Sequence, residues 1–266
     1  MAKKVLVIGD TILDETINAS AVGLSLESPT LKVSHESTSI DLGGAGNVAK
    51  NLVNLGCDVT FLTSGDIELQ GARVICLSGK PHKKTRVWVR HGDSKYKYLQ
   101  INHDEITRSE TDFEIVSLID SNYDALVISD YRKGTLSSSL IQSLIKHKNF
   151  SEVISMSQIS DKEYDYSVFS GSSFLILNEH EHEKSPVKNT PCVVTQGKRG
   201  STYIFGKEKI VQAGYDVNTI DTTGAGDCFV AAFCASDGDV EYRMKQANEY
   251  AAKSTTMNGT KLYEGD

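Results

Sequence analysis

Nine consecutive residues hold the densest chemistry in the chain: Asp221-Thr222-Thr223-Gly224-Ala225-Gly226-Asp227-Cys228-Phe229. Two glycines flank an alanine where a loop enters an apolar segment. The first amides of a helix have no intrahelical acceptor and carry partial positive charge. Without bulky side chains in the way, an anion approaches such amides closely. Asp227 falls in the first turn, beside that anion site. A carboxylate there can take a proton from a hydroxyl while the amides of Gly224, Ala225 and Gly226 hold the charge on a moving group. For a bare G-x-G-D, a glycine turn capped by aspartate is the plainer alternative.

Other stretches carry weaker signals. Gly43-Gly44-Ala45-Gly46-Asn47 opens an amphipathic segment and alone reads as a tight turn with a helix cap. Asp10, after the first apolar run, either binds a ligand or caps the turn. Asn178-Glu179-His180-Glu181 begins an acidic run that also reads as a solvated turn; His180 and His182 lack an evident third ligand for a metal. Arg86, Arg90, Arg132 and Lys133 are the candidates for an anion pocket, arginine as a planar fork and lysine as a point charge. Arg86 and Arg90 read equally as a solvated face. A G-x-x-x-x-G-K-[ST] loop is absent, which excludes the P-loop enzymes.

These groups need a scaffold. Val5–Ile8 is a continuous apolar run closed by Gly9-Asp10, a buried first strand. Residues 44–56 predict a helix, with Ala45, Val48, Ala49, Leu52 and Val53 on one face, and Val59–Thr63 the next strand. Strand, helix, strand is the unit of a parallel sheet. Ala125–Ser129, Val153–Met156, Phe174–Leu177 and Cys192–Thr195 continue it, with a helix over Leu136–His147, a hairpin from Thr202 to Ala213, and helices over Gly224–Ala235 and Val240–Met257. The middle differs. Thr85–His91 and Lys95–Ile101 flank a turn as a hairpin with one wetter face, and Leu31–Ile40 adds a strand to it. The expectation is a single domain, 1–266, a doubly wound three-layer α/β/α sandwich on a mostly parallel sheet. A small β lid, from about 14–40 and 84–103, is inserted in it.

The composition fits. The chain has 266 residues, 39% hydrophobic and 24% charged, with four prolines. The formal net charge of -7 disfavours a nucleic-acid partner. Five cysteines without a C-x-x-C pair read as reduced and structural. The N-terminal apolar run is too short for a signal sequence and no stretch is long enough to span a membrane, so the expectation is a cytoplasmic protein.

The full nine residues resemble the D-T-x-G-A-G-D-x-F signature of the ribokinase-like (PfkB) carbohydrate kinases. That resemblance implies ATP-dependent phosphorylation of a sugar hydroxyl, with Gly224, Ala225 and Gly226 as anion hole and Asp227 as catalytic base. It implies sugar binding by Gly43, Gly44, Asn47, Asp14 and Asp10, and nucleotide binding by Thr195, Gly197, Gly200 and Asn248. Asn178 and Glu181 would act on the phosphate–Mg²⁺ side through water, and Asp221 and Thr223 would begin a monovalent cation site, K⁺ being the candidate. Within the family, Leu26-Glu27-Ser28-Pro29, Lys84-Thr85-Arg86-Val87, the run Tyr98–Glu105 and Ser129-Asp130-Tyr131-Arg132-Lys133-Gly134 resemble heptose 7-phosphate kinases. The implied substrate is a heptose 7-phosphate, with Arg86 and Lys133 on its phosphate. Another sugar or nucleoside, or a non-catalytic binding protein, are the alternatives. The chain departs from that group at Ser155-Met156-Ser157, where D-P-K is expected, and between Gly65 and Lys80, too short for a helix plus strand. A homodimer through the lid is also implied.

Overall fold

The computed structural model describes residues 2–103, 108–158, 165–184, 187 and 189–257. β1 (Lys4–Gly9) lies inside the larger sheet, two strands from one edge, and its side chains alternate between two cores. Val5 and Val7 face one core, Leu6 and Ile8 the other. A strand covered on both faces must be apolar at every position, which is why it is legible as a run. β1 pairs in parallel with β4 (Asp58–Ser64) on one side and β8 (Tyr123–Asp130) on the other. β5 (Ala72–Leu77) lies beyond β4, while β9 (Phe150–Ser157), β10 (Phe174–Asn178) and β11 (Cys192–Thr195) continue beyond β8, all parallel. An antiparallel hairpin, β12 (Gly200–Phe205) and β13 (Glu208–Ala213), completes nine strands. The short stretch after Gly65 thus keeps its strand, β5, and the described structure has a turn where a helix would be.

Three helices cover the Val5 face: α1 (Ala45–Asn54), α5 (Ala225–Ala235) and α6 (Val240–Ser254). α2 (Asp112–Ser117) and α3 (Ser138–Ile145) cover the other, and α4 (Glu179–Lys184) follows β10. This is the doubly wound three-layer sandwich. Such sheets bind ligands at the carboxyl ends of their strands. No helix is long and apolar enough to cross a membrane among the described residues.

The lid is a four-stranded sheet in the order β3-β2-β6-β7. Its strands are β2 (Thr11–Leu24), β3 (Leu31–Gly44), β6 (His82–His91) and β7 (Ser94–His103). The β6–β7 hairpin and a strand at β3 match the expectation, although the sheet starts earlier and β2 is longer than the sequence pattern implied. Asp104 and Glu105, at the end of the run from Tyr98, lie outside the described residues. Register sorts the lid's faces. Ile17, Val87 and Leu99 share one face, with Ile40 and Ile101 exposed on it. Asp14, Lys84 and Arg86 share the other. Val89 is fully buried within the chain.

Candidate active site

The loop after β13 enters α5 through Gly224, whose φ of 77° lies in the left-handed region that L side chains rarely adopt. The turn places Ala225, Gly226 and Asp227 in the first helical turn, with open space in front of Gly226. Asp227 is almost fully buried, at 3% exposure. Its Oδ2 accepts a hydrogen bond from the Asn47 amide at 2.9 Å, and its Oδ1 accepts one from the Tyr131 hydroxyl. Asn47 is itself fixed: Asn51, one turn on in α1, donates to its Oδ1 at 3.0 Å and to its carbonyl at 2.8 Å. The Tyr250 hydroxyl of α6 donates to the Asn51 Oδ1 at 2.9 Å. The chain Tyr250–Asn51–Asn47 therefore sets which way the Asn47 amide points, with its N–H toward the carboxylate.

Burial pushes the Asp227 carboxyl up to about 6, with Asp14 adding to the rise and Tyr131, Asn47 and Lys50 opposing it. A carboxylate that titrates near neutral pH, and is still ionised at pH 7, suits general base work. Burial, reinforced by the Asp227 charge, holds the Tyr131 phenol well above its ordinary range.

Asp14 lies close by on β2. Gly43 leaves it room, since a Cβ there would stand 2.7 Å from its Oδ2. Gly44, at φ 60°, brings its backbone so near that a Cβ would meet the Asp10 carbonyl at 2.5 Å. Arg86 pairs with Asp14 at 2.7 Å. Burial lowers the Lys84 ammonium; Asp14 acts against this, while the charges of Arg86, Lys133 and Lys97 add to it. Lys84, Arg86 and Lys97 from the lid and Lys133 from the loop after β8 thus form a cationic group that includes the partner of Asp14.

Some expected ligands stand elsewhere. Asp10 is fully buried, and its two oxygens accept from the amides of Tyr131, Lys133 and Thr135 at 2.9–3.0 Å. The capping alternative is the one observed: Asp10 clamps the loop after β8. Arg90 lies at the exposed far end of the lid, bound to Glu36. Arg132 turns away to Ser157 at 3.1 Å and lies over the Tyr166 ring, so it does not join the cationic group. Asn47 is fully buried and faces Asp227, where the resemblance implied a sugar ligand.

On the other side of the α5 N-terminus a cleft of about 420 Å³ opens, lined by Thr195, Gly197, Gly200, Gly226 and Asn248 among others. Those five sequence candidates come together, although the Asn248 amide donates to the carbonyls of Gln212 and Ala213 at 3.3 Å. Asn178 and Glu181 lie outside the cleft wall and cap each other: the Asn178 amide donates to Glu181 at 2.8 Å and the Glu181 amide to Asn178 at 2.9 Å. The Glu181 charge is felt by both Tyr131 and Tyr166, so it faces the middle of the site. Asp221 accepts from the Thr223 amide and hydroxyl at 2.9 and 2.7 Å, shaping the turn before α5.

Sequence reading missed Tyr131 as a partner of Asp227, and also Asn51, Tyr250, Lys50, Lys84 and Lys97. Lys84 and Tyr131 stood in stretches that carry the family resemblance but had no role there, and Asn51 left a further signal: a second asparagine four positions after Asn47, on the buried face of an amphipathic helix.

A parallel α/β sandwich with an anion cradle, a buried carboxylate and an adjoining cleft defines a phosphotransfer fold. Residues 2–263 match the pfkB family carbohydrate kinase profile, and the chain belongs to that family, as a sugar kinase. It is similar to the bifunctional protein HldE of Nitrobacter winogradskyi, 26% identical over 97% of this chain and 61% of the relative. The HldE of Campylobacter curvus is 29% identical over 95% of this chain and 62% of that protein. The chain spans about six-tenths of the length of these relatives. In fold it resembles a ribokinase of Thermotoga maritima, with a TM-score of 0.73 and 18% identity over 96% of this chain and 94% of that one. Phosphofructokinase-2 of Escherichia coli, solved with potassium, gives a TM-score of 0.72 and 16% identity over 98% and 95%. Membership implies ATP as phosphoryl donor, usually with Mg²⁺.

Proposed function

We propose that this kinase phosphorylates a sugar that already carries a phosphate, with a heptose 7-phosphate as the best substrate. One observation carries the reading: Arg86 pairs with Asp14, Lys84 stands opposite Asp14 in the lid, and the charges of Lys97 and Lys133 reach Lys84, beside the buried Asp227. A neutral sugar needs no such charge, whereas a phosphate monoester does. The similarity to the HldE proteins supports the same substrate.

In this reading Asp227 takes the proton from the accepting hydroxyl. The amides of Gly224, Ala225 and Gly226 hold charge on the transferred phosphoryl group, Ala225 leaving the Thr222 carbonyl to which it donates at 3.2 Å, and catalysis is otherwise positioning. The nucleotide lies in the 420 Å³ cleft, whose end is formed by Ala225 and Gly226. Asp14 and the lid cations hold the sugar phosphate, and closure of the lid excludes water. Asn47 orients the base. No group of three or more His, Cys, Asp or Glu able to hold a metal occurs among the described residues. Mg²⁺ would be carried mainly by phosphates and water, with Glu181 and Asn178 reaching it through water; bound there, it would neutralise phosphate charge. Asp221 and Thr223 would face a monovalent cation, tested by comparing rates in K⁺ and Na⁺.

The deciding experiment is a panel of sugars and sugar phosphates assayed for ADP release with Mg-ATP. The heptose 7-phosphate should give the highest kcat/KM. Equal turnover of free ribose would move the protein to another branch of the family. The outer face of the lid, with Ile40, Leu99 and Ile101 40–56% exposed, is proposed to pair with a second copy. Sedimentation of a monomer at micromolar concentration would refute that pairing.

A further inference from the structure

Tyr131 is a group that phosphoryl transfer alone leaves without a task. Its hydroxyl donates to Oδ1 of Asp227 while Asn47 donates to Oδ2, so both oxygens of the base already hold a protein donor before any acceptor arrives. The phenol keeps its proton at neutral pH, because burial and the neighbouring carboxylate hold it well above its ordinary range. The backbone beneath it is pinned. Asp10 accepts from the amides of Tyr131, Lys133 and Thr135. Between them Arg132 takes φ 56°, a left-handed turn that a non-glycine residue adopts only when its surroundings fix it. The ring, by contrast, is tethered at its tip by Asp227. Rotation of one side chain, with no backbone movement, would release Oδ1.

We propose that Tyr131 guards the base: it occupies Oδ1 of Asp227 until the acceptor hydroxyl of a bound sugar displaces it, and so keeps water from being phosphorylated instead. The proposal rests on Asp227 being the base. In the reaction it prevents, a water oxygen bonds to the γ-phosphorus and the bond from that phosphorus to the bridging oxygen of ADP breaks. The proton of the water passes to Asp227 Oδ1 and on to solvent, and ADP and inorganic phosphate leave. While the tyrosine hydroxyl sits against Oδ1, it takes one of that oxygen's two lone pairs and competes with water for the base. A sugar can displace the phenol because contacts elsewhere on the molecule supply binding energy, which water lacks.

The groups around this pair are Asp14 from β2, Asn47 and Lys50 from α1, Glu181 from α4 and Cys228 beside Asp227 on α5. Among them, the tyrosine bond lowers the carboxyl against burial. Its loss should move the carboxyl further up.

The test is ADP and phosphate release from Mg-ATP with no sugar present. In Tyr131→Phe the sugar-free hydrolysis should rise at least about tenfold over wild type, which corresponds to roughly 1.4 kcal/mol. Its acid limb should lie at higher pH than that of wild-type sugar phosphorylation. A phenol that served only as packing would leave hydrolysis unchanged and the limb in place. Unchanged sugar-free hydrolysis in a variant that melts and binds ATP like wild type overturns the proposal. If Tyr131→Phe does not fold, Tyr131→Leu is read by the same assay. Failure of the underlying reading looks different: the new hydrolysis would then persist in Tyr131→Phe/Asp227→Asn, whereas a guarded base requires that it vanish.

Discussion

The two sides of the α5 N-terminus, in our proposal the sugar side and the nucleotide side, are built from different kinds of group. On the sugar side, side chains do the work: Asp227, Asn47, Asn51, Tyr131 and Tyr250 are joined through consecutive hydrogen bonds in a buried network. On the nucleotide side the wall is glycine backbone and small residues, including Gly197, Gly200, Gly214, Ala251 and Ala252. A buried polar network is intolerant, because deleting one member strands the others without partners. A wall of backbone and small apolar groups loses only contact area. The sugar side is therefore built to reject, and the nucleotide side to accommodate.

The sharpest break of that comparison is Asp227→Asn. The shape is kept and the proton acceptor is lost, so kcat should fall by about 10² to 10⁴, the usual worth of general acid–base catalysis. Nucleotide affinity should change little, because the amides of Ala225 and Gly226 remain. Near wild-type turnover, measured by ADP release with the best sugar of the panel, would remove Asp227 from the mechanism.

Arg86→Ala comes next. It removes a fork from the cationic group and leaves Asp14 without its 2.7 Å partner. KM for the sugar phosphate should rise by about tenfold or more, on the scale of a charge-assisted bond, while KM for ATP stays within about twofold. A parallel rise in both would mean that the lid cations serve the nucleotide, and the two sides would not be separate.

Proton linkage gives a third test. The folded Asp227 titrates at about 6, above the ordinary aspartate value of about 3.9. Activity needs the ionised form, so kcat should fall about tenfold per unit below pH 6. Stability runs the other way. A carboxyl whose folded value is raised binds its proton more tightly folded than unfolded, so stability is lost as pH climbs from about 4 through 6. Asp227→Asn should melt like wild type at pH 4 and above it at pH 7. A variant less stable than wild type at both pH values would show that ionised Asp227 is not held at a cost.

The nucleotide side was the easier one to read from sequence, and the reason is physical. Glycine-marked turns such as Thr195–Gly200 and Thr223–Asp227 act through their own backbone, so their role lies within a few consecutive residues. The sheet was legible for a similar reason: the inner stretches of β1, β8 and β10, Val5–Ile8, 125–128 and 175–177, are buried on both faces and so are apolar throughout. The sugar side assembles from β2, α1, the loop after β8, α5 and α6, and only the topology brings these together. Tyr131 and Asp227 lie 96 positions apart. Lys84 becomes a neighbour of Asp14 only because β2 inserts beside β6, and the polar, alternating pattern of β2 did not announce a strand of that length. Asp10 shows the limit from the other direction, since an aspartate after a first strand has the same sequence whether it holds a sugar or a loop.

The smallest effects belong to a matched pair of asparagines. Asn51 and Asn248 are both buried, at 1% and 7% exposure, and both donate to protein oxygens. They differ in what lies beyond them. Asn51 fixes the amide that holds Asp227, so Asn51→Leu should lower kcat by about tenfold, the scale of one hydrogen bond to a charged group, with KM for ATP unchanged. Asn248 donates to the carbonyls of Gln212 and Ala213, tying α6 to β13 behind the cleft. Asn248→Ala leaves those carbonyls short of a donor and should lower the melting temperature, but KM for ATP should move by less than about threefold, which is under 1 kcal/mol. The measurement is a pair of ATP saturation curves at fixed sugar concentration. If Asn248→Ala instead raises KM for ATP tenfold while kcat holds, the nucleotide wall also selects through a polar side chain. The contrast between a rejecting side and an accommodating side would then fail at the one position where the two are most alike.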